Sequence, residues 1–495
     1  LLAKVIVKGR TRDEALGKLR EALAETRLDG FETNLRYLRE LVAALAARGR
    51  VLRIDRIDQD AYEGTALMYR LVERFGLEGA PALRFDEVRI DGEWRRGPVV
   101  ANVLGHWDCE SLVFGLEPDP ESGRAGFRRA RAHLIDLATR NGGRYPEIPP
   151  VEVPRDQAPC KDVVLVGDAI DLTRFPFLKV NPADGGRYVN TASVFTRDPK
   201  AGVNLGTYRC QLKGPRKLAV SPGAGQTGWK MLMAARARGE ATARISLVLG
   251  QDPIVYTVSG TRAATRRGDE PVDELAVAGG LRGRAVQVVR SETNDFLVPA
   301  RAEMVIEGEV PLQELEREGP YGEGLGYQGD GELAFYVNVT TVTHRREPWF
   351  HTSFTGIDRG PVKAPGVASS YLFAKKFLPA LVDFHYFSNA NNIFLASIDK
   401  TAPGQGLAAG ERLGKFNPVA KIVMVFDRDV DLMDPAQVLF ALSSRWQPDP
   451  AARIFANLPG LPLDPSQTDP NRTSKIIIDA TRQLPGEGGP ATFPA

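Results

Sequence analysis

Cysteine is scarce in this chain: three residues, Cys109, Cys160 and Cys210, occur among 495. An odd number without CxxC spacing argues against a disulfide framework and a thiolate metal site, and points to a reducing compartment. Long apolar stretches are missing too. No run reaches the roughly eighteen residues of a membrane-crossing helix, and the first residues lack the charged, apolar and small-residue regions of a signal peptide. A cytoplasmic protein is expected. An excess of charge of one sign is also absent: 64 Lys and Arg against 62 Asp and Glu leave a formal +2, which implies no nucleic-acid or membrane-surface partner. There is no internal repeat and no low-complexity tract.

What is present is a soluble, globular composition, 43% hydrophobic and 25% charged, in a chain too long for one ordinary core. Two or three packed units of an α+β protein are expected. Leu2 to Val7 reads as a strand, and a helix capped at Thr11 carries Leu16, Leu19 and Leu23 at helical spacing. A second helix from about Asn34, with Leu35, Leu38, Val42 and Leu45 on one face, stops at Gly49 before the strand Val51 to Ile54. Residues 42–145 read as an N-terminal α/β unit, with strands at Ala80 to Phe85 and Val99 to Asn102 and a helix burying Phe127, Leu134 and Leu137. After the proline-rich stretch Pro146 to Pro159, residues 146–345 change to short valine- and isoleucine-rich strands between glycine turns, the pattern of an antiparallel β-barrel. Residues 346–458 return to α/β alternation: a helix through Tyr371 to Phe384, strands at Ile393 to Ile398 and Lys421 to Phe426, and a helix from about Asp434 to Trp446. The tail, 459–495, is expected to wrap a neighbour or stay loose apart from Lys475 to Asp479.

Two polar clusters carry chemistry. Arg317-Glu-Gly-Pro-Tyr-Gly-Glu323 is a glycine-proline turn that fixes the direction of Glu318 and Glu323. Alone it reads as a surface turn with two solvated acids. Upstream, Asn204-Leu-Gly-Thr-Tyr-Arg209 places an amide and a planar, permanent cation on one strand, and an arginine with two acids suits the handling of a carboxylate. Residues five apart on a regular strand face opposite ways, so a bulge or turn at Gly206 is expected to bring Asn204 and Arg209 to one pocket. Glu274 reads either as a helix-capping acid or as a ligand to a hard cation. His351 reads as a substrate-facing or a structural histidine, Trp229 and Tyr327 as core, and Cys210 as packing.

These motifs, in this order, resemble the UbiD-type decarboxylases: Asn204-Leu-Gly-Thr-Tyr-Arg209, Glu274 before Gly279-Gly280, Asn294-Asp with Val298-Pro-Ala, Glu303-Met-Val-Ile-Glu-Gly308, and Glu318-Gly-Pro-Tyr-Gly-Glu323 with Gly326-Tyr327. The resemblance runs from about Arg39 to about Thr481. It implies an N-terminal α/β unit, a central split β-barrel that binds the flavin, and a C-terminal α/β domain through which subunits associate, as a dimer or hexamer. It implies prenylated FMN as cofactor, furnished by a flavin prenyltransferase, and a small carboxylic acid as substrate. Removing CO2 from an aromatic, heteroaromatic or conjugated α,β-unsaturated acid leaves an undelocalised carbanion, which needs an electron sink that side chains do not provide.

The resemblance further implies that Arg209 orients the carboxylate, that Glu318 pairs with it and that Glu323 gives the proton. Asn204, Thr207, Tyr208, Arg209 and Glu274 would bind the cofactor, with Asn204 and Glu274 on a divalent ion, manganese or magnesium, beside potassium. The histidine that the family often places after the arginine is missing from Ser221-Pro-Gly-Ala-Gly-Gln-Thr-Gly228. Either Gln226 replaces it as an oxygen ligand or the segment is a glycine loop along the phosphate. Lys415 stands near the family's phosphate-contacting lysine, or is an exposed lysine. Separately, Leu2 to about Leu41, with Ala22-Leu-Ala-Glu-Thr-Arg-Leu-Asp-Gly30 and Glu32-Thr-Asn34, resembles part of the biotin carboxylase C-terminal lobe, so residues 1–41 are expected to form an N-terminal extension. Two other functions stay open: a non-catalytic flavin-binding or assembly subunit of a multi-subunit aromatic carboxylase, and an ATP-dependent carboxylating enzyme resting on that N-terminal segment.

Overall fold

The computed structural model describes residue 11 and residues 37–490, apart from 224, 262, 265–271, 389, 391, 417–419, 461–463, 468 and 470. The chain divides into two units, Leu1–Leu35 and Arg36–Ala495. The strand from Leu2 and the helix from Thr11 expected from sequence lie outside the described residues.

Helix α1 (Leu38–Ala47) buries Leu38, Leu41, Val42 and Leu45, one stripe at helical spacing, and Gly49, at φ +69°, follows its end. Strand β1 (Val51–Asp58), helix α2 (Glu63–Phe75) and strand β2 (Ala82–Ile90) form a parallel crossover, and β2 returns antiparallel as β3 (Glu93–Ala101). Asp91 and Gly92, both at positive φ, make the two-residue turn that such a hairpin favours. Helix α3 (Gly123–Arg140), capped by Ser122, buries Phe127 and Leu134, while Leu137 is half-buried.

The central sheet is built from β4 (Val163–Val166), β5 (Tyr188–Val189), β6 (Ser193–Asp198), β7 (Gly202–Thr207), β8 (Arg209–Gly214), β9 (Lys217–Ser221), β10 (Thr242–Leu249), β11 (Met304–Pro311), β12 (Glu316–Glu318) and β13 (Glu332–His344). Between them lie helices α4 (Thr227–Ala237), α5 (Pro253–Gly260) and α6 (Glu274–Arg282). The strand order is β5-β8-β9-β13-β11-β10-β6-β7, with β4 and β12 also on β13. Only Tyr208 separates β7 from β8, yet six strand steps separate them in the sheet. At about 4.8 Å per step a flat sheet would set them some 29 Å apart, whereas two residues of chain span roughly 7 Å. The sheet therefore curls on itself into a half-barrel. Its interior (Val194, Cys210, Leu218, Leu247, Ile306, Phe335) is continuous with Met68 of α2 and with Leu83 and Phe85 of the first sheet.

Strand β14 (Phe350–Thr352) adds to β3 in parallel. Helix α7 (Ala364–Phe377) packs on α3 and is followed by β15 (Leu381–His385). The helix expected from Tyr371 to Phe384 therefore ends early. Pro379 lacks the N–H a helix needs and disfavours helical geometry in the residue before it. Strands β16 (Ile393–Ile398) and β17 (Ile422–Asp427), with helices α8 (Gln405–Phe416) and α9 (Pro435–Arg445), follow the expected alternation. Strands β18 (Ala452–Pro459) and β19 (Arg472–Asp479) complete a sheet of order β15-β16-β17-β19-β18, so the sheet draws on chain from both sides of residue 458. Among the described residues no helix is long and apolar enough to cross a membrane.

Candidate active site

Arg209 opens β8 immediately after the break at Tyr208. Strand β7 runs through Gly206 without a bulge, so the change of direction expected at Gly206 falls two residues later, at Tyr208, where the chain crosses the open side of the curled sheet. Glu318 ends β12, and Gly319 turns the chain at φ +92°, where a Cβ would stand 2.6 Å from the Gly331 Cα. Tyr321-Gly322 then pairs with Gln328-Gly329 and sets Glu323 on the same side. Asp184 holds the turn by accepting from the Gly322 N–H at 2.8 Å.

The three charged groups of the two sequence clusters meet here. Arg209 donates from Nε and Nη2 to the two oxygens of Glu318 at 3.0 and 2.8 Å, and from Nη1 to Glu323 Oε1 at 2.5 Å. Glu318 is fully buried, while Arg209 and Glu323 keep 19% and 16% side-chain exposure. Tyr188 Oη donates to Glu318 Oε1 at 2.8 Å, and its ring packs 4.5 Å from that of Tyr321, over which the guanidinium lies at 4.9 Å. Three donors thus converge on Glu318, as an acceptor-only carboxylate requires. Burial opposes the charge on Arg209, but the Glu318 hydrogen bonds and the Glu323 and Glu318 charges outweigh it and raise its pKa. Burial, then the Glu318 charge, pushes the Tyr188 phenol well up. Glu323 is raised above the ordinary carboxyl value because burial outweighs the Arg209 charge. One acid anchors the arginine and the other is placed to carry a proton.

Asn204 lies buried on β7, where Nδ2 donates to Thr196 Oγ1 at 3.2 Å and Tyr208 Oη at 3.3 Å. Its Oδ1 accepts no hydrogen bond among the described residues. Tyr208 Oη also accepts from the Gly228 N–H, in the first turn of α4, at 3.1 Å. Burial raises the Tyr208 pKa, and the Glu274 charge adds to the effect, so Asn204 and Glu274 border the same phenol. Glu274 is the first residue of α6, half-buried beside Phe195, Val203 and Leu205. An open amide oxygen and a carboxylate are hard donors of the kind manganese and magnesium take, so these residues fit a divalent ion. Among the described residues no cluster of three His, Cys, Asp or Glu forms a metal site. Gln226 is exposed and its Oε1 accepts from the Gly223 N–H at 2.6 Å. Thr207 Oγ1 bonds Ser259 Oγ of α5 at 2.9 Å. Lys415 is exposed and borders a different hollow, with Phe455, Leu458 and Ile477.

His351 packs edge-on against Tyr256, and burial lowers its pKa to about 4. Cys210 is fully buried, with its pKa pushed up by burial, which is the packing role expected. Trp229 packs on Phe335. Tyr327 departs from the core position expected of it: in the turn between Tyr321-Gly322 and Gln328-Gly329 it is 63% exposed. Sequence reasoning missed Tyr188 and Glu332 and gave Tyr321 no role beyond its place in the turn motif; the register that sets Glu332 opposite Glu318 is visible only in the structure.

Residues 151–358 match the 3-octaprenyl-4-hydroxybenzoate carboxy-lyase Rift-related domain (UbiD), and residues 363–480 the corresponding C-terminal domain. Residues 1–59 match the biotin carboxylase C-terminal domain. A phenolic acid decarboxylase of Sedimentibacter hydroxybenzoicus is 29% identical over 92% of this chain and 93% of its own. The vanillic acid decarboxylase of the same organism, in open form, superposes with a TM-score of 0.80 at 28% identity, covering 93% of this chain and 95% of that one. The UbiD-class enzyme HmfF of Pelotomaculum thermopropionicum in complex with FMN gives 0.76 at 27% identity over 92% and 97%. An evolved dimeric form of it with prFMN gives 0.74 at 26% over 91% and 95%. With both UbiD domains matched in order and the Arg209 cluster inside the first, the chain belongs to the UbiD family and is a carboxy-lyase.

Proposed function

We propose that this chain is a reversible, non-oxidative decarboxylase of aromatic, heteroaromatic or conjugated α,β-unsaturated acids that works with prenylated FMN. The observation that carries the proposal is the Arg209 guanidinium held between a fully buried Glu318 and a partly exposed Glu323. The relatives described as phenolic and vanillic acid decarboxylases, and the FMN and prFMN complexes, support the substrate and cofactor classes. When bound, prenylated FMN supplies the electron sink for the pair left by the departing CO2.

The residues of the chain do the rest. Glu318, itself held by Tyr188, fixes the plane of Arg209, and Arg209 orients the substrate carboxylate. Nε, Nη1 and Nη2 each give one hydrogen bond to an acid, and Nη1, bonded to the partly exposed Glu323, meets the substrate as Glu323 lets go of it. Glu323 lets go by taking a proton, which its raised pKa favours. The bond from substrate carbon to carboxylate breaks, CO2 leaves, and the Glu323 proton goes to that carbon; the reverse sequence carboxylates. Asn204 and Glu274 would hold a manganese or magnesium ion, which with potassium would supply positive charge for binding the cofactor's phosphate. Thr207 ends the same strand as Asn204, and Tyr208 follows it.

The barrel, 146–345, is the proposed flavin-binding part. The C-terminal α/β part is the proposed site of association into a dimer or hexamer, and its exposed Leu439, Phe440 and Ile454 support that role. The test is reconstitution with prenylated FMN, potassium and manganese, followed by CO2 release and deuterium incorporation across a panel of acids. Turnover of an aromatic acid is expected; none on any acid, with cofactor bound, would overturn the proposal.

A further inference from the structure

Arg209 faces a third acid. Glu332 opens β13 as the register partner of Glu318, and Ser221 ends β9 as the register partner of Arg209. Ser221 Oγ donates to Glu332 Oε1 at 2.7 Å, and that oxygen stands 3.9 Å from Arg209 Nη2. Two strand registers and a hydrogen bond thus place a carboxylate at the mouth of the site, on a side chain 56% exposed.

Resting on the decarboxylase reading, we propose that Glu332 is a positioning residue which, through Arg209 and Glu323, makes uptake of the substrate carboxylate depend on protonation of Glu323. One guanidinium against the carboxylates of Glu318, Glu323 and Glu332 leaves two net negative charges when all are ionised. A substrate anion entering that cluster meets repulsion unless one acid is neutral. Glu318 is anchored by Arg209 and Tyr188, and Glu332 stands at the solvent edge, held by Ser221. Glu323 is left as the acid that takes the proton, and its neutralisation also frees Arg209 Nη1 for the substrate.

The groups facing this cluster are Arg209 from β8, Tyr188 from β5, Asp184 from the loop before β5, Glu318 from β12, Tyr321 from the following turn, and Ser221 and Glu332 from β9 and β13. Of these, Arg209 favours the ionised form of Glu323, whereas Glu318 and Glu332 favour the neutral one. Glu332 can therefore be removed as a charge without touching the groups that hold the arginine.

The experiment titrates the Glu323 carboxyl by infrared difference spectroscopy in the full chain, its band assigned by loss in Glu323→Gln. A parallel series measures benzoate affinity against pH. Glu332→Gln should lower the Glu323 midpoint by about half a unit, a surface-screened Coulomb effect, and shift the pH at which benzoate affinity falls by the same amount. Glu332→Asp should leave both near wild type. Ser221→Ala, which keeps the acid but removes the hydroxyl that holds it, should give a smaller shift in the same direction, and it serves as the variant if Glu332→Gln does not fold. An unchanged midpoint in Glu332→Gln and Ser221→Ala, or an equal shift in Glu332→Asp and Glu332→Gln, overturns the inference. Because the titration needs no turnover, that result leaves the decarboxylase reading intact, while absence of CO2 release from reconstituted wild type tells against that reading instead.

Discussion

Glu318→Gln tests the logic of the site most directly. The substitution keeps the shape of a side chain with no solvent exposure. An amide oxygen can still accept from Arg209 Nε and Tyr188 Oη, but the amide nitrogen then faces Arg209 Nη2, donor against donor. Breaking a buried ion pair by removing one partner costs about 3–5 kcal/mol. Arg209 retains Glu323 and is 19% exposed, so roughly 2–3 kcal/mol is expected here. If that falls on the orientation of Arg209 in the transition state, kcat/KM drops about 30- to 150-fold. The assay is steady-state decarboxylation by the reconstituted enzyme, together with ultraviolet titration of Tyr188, whose pKa should fall once the neighbouring negative charge is gone. A variant within threefold of wild-type kcat/KM, with an unmoved Tyr188 titration, would refute the claim that Glu318 holds the arginine.

Glu323→Gln should abolish deuterium incorporation while cofactor absorbance survives; retained exchange would assign the proton to another group. Because the folded pKa of Glu323 lies above its unfolded value, the native chain binds that proton more tightly, so its contribution to stability is present below about pH 4 and is lost as pH rises through the folded value. Urea midpoints at mildly acidic and mildly alkaline pH should accordingly show a smaller decline in Glu323→Gln than in wild type. Asn204→Ala should weaken manganese-dependent cofactor binding about 10- to 100-fold by fluorescence titration, with little change in binding measured without the ion.

The local pieces of this protein were legible because their causes are local. The stripe Leu38, Val42 and Leu45, the stop at Gly49, and strand Ile393–Ile398 follow from periodicity and turn chemistry. The apolar residues from Tyr371 to Phe384 suit a helix as well as a helix followed by a strand, and a single proline decides between them. Curling of the central sheet was less accessible: which strands neighbour each other depends on pairings between distant segments, as with β13 and β4. The site shows the same division. The Glu318-Glu323 turn announces itself, but Arg209 lies 109 residues before Glu318, and family resemblance rather than spacing linked them. Tyr188 was invisible, since a tyrosine in a short strand reads as core until its hydroxyl is seen against Glu318.

The one-residue step at Tyr208 has a consequence for how such an enzyme can diversify. Asn204, proposed to anchor the cofactor, and Arg209, proposed to grip the substrate, are tied through the one-residue link at Tyr208, the seam of the half-barrel, so chain connectivity works as a fixed ruler between them. New substrates can be admitted by changing what faces the arginine, whereas lengthening the seam would put cofactor and substrate out of step.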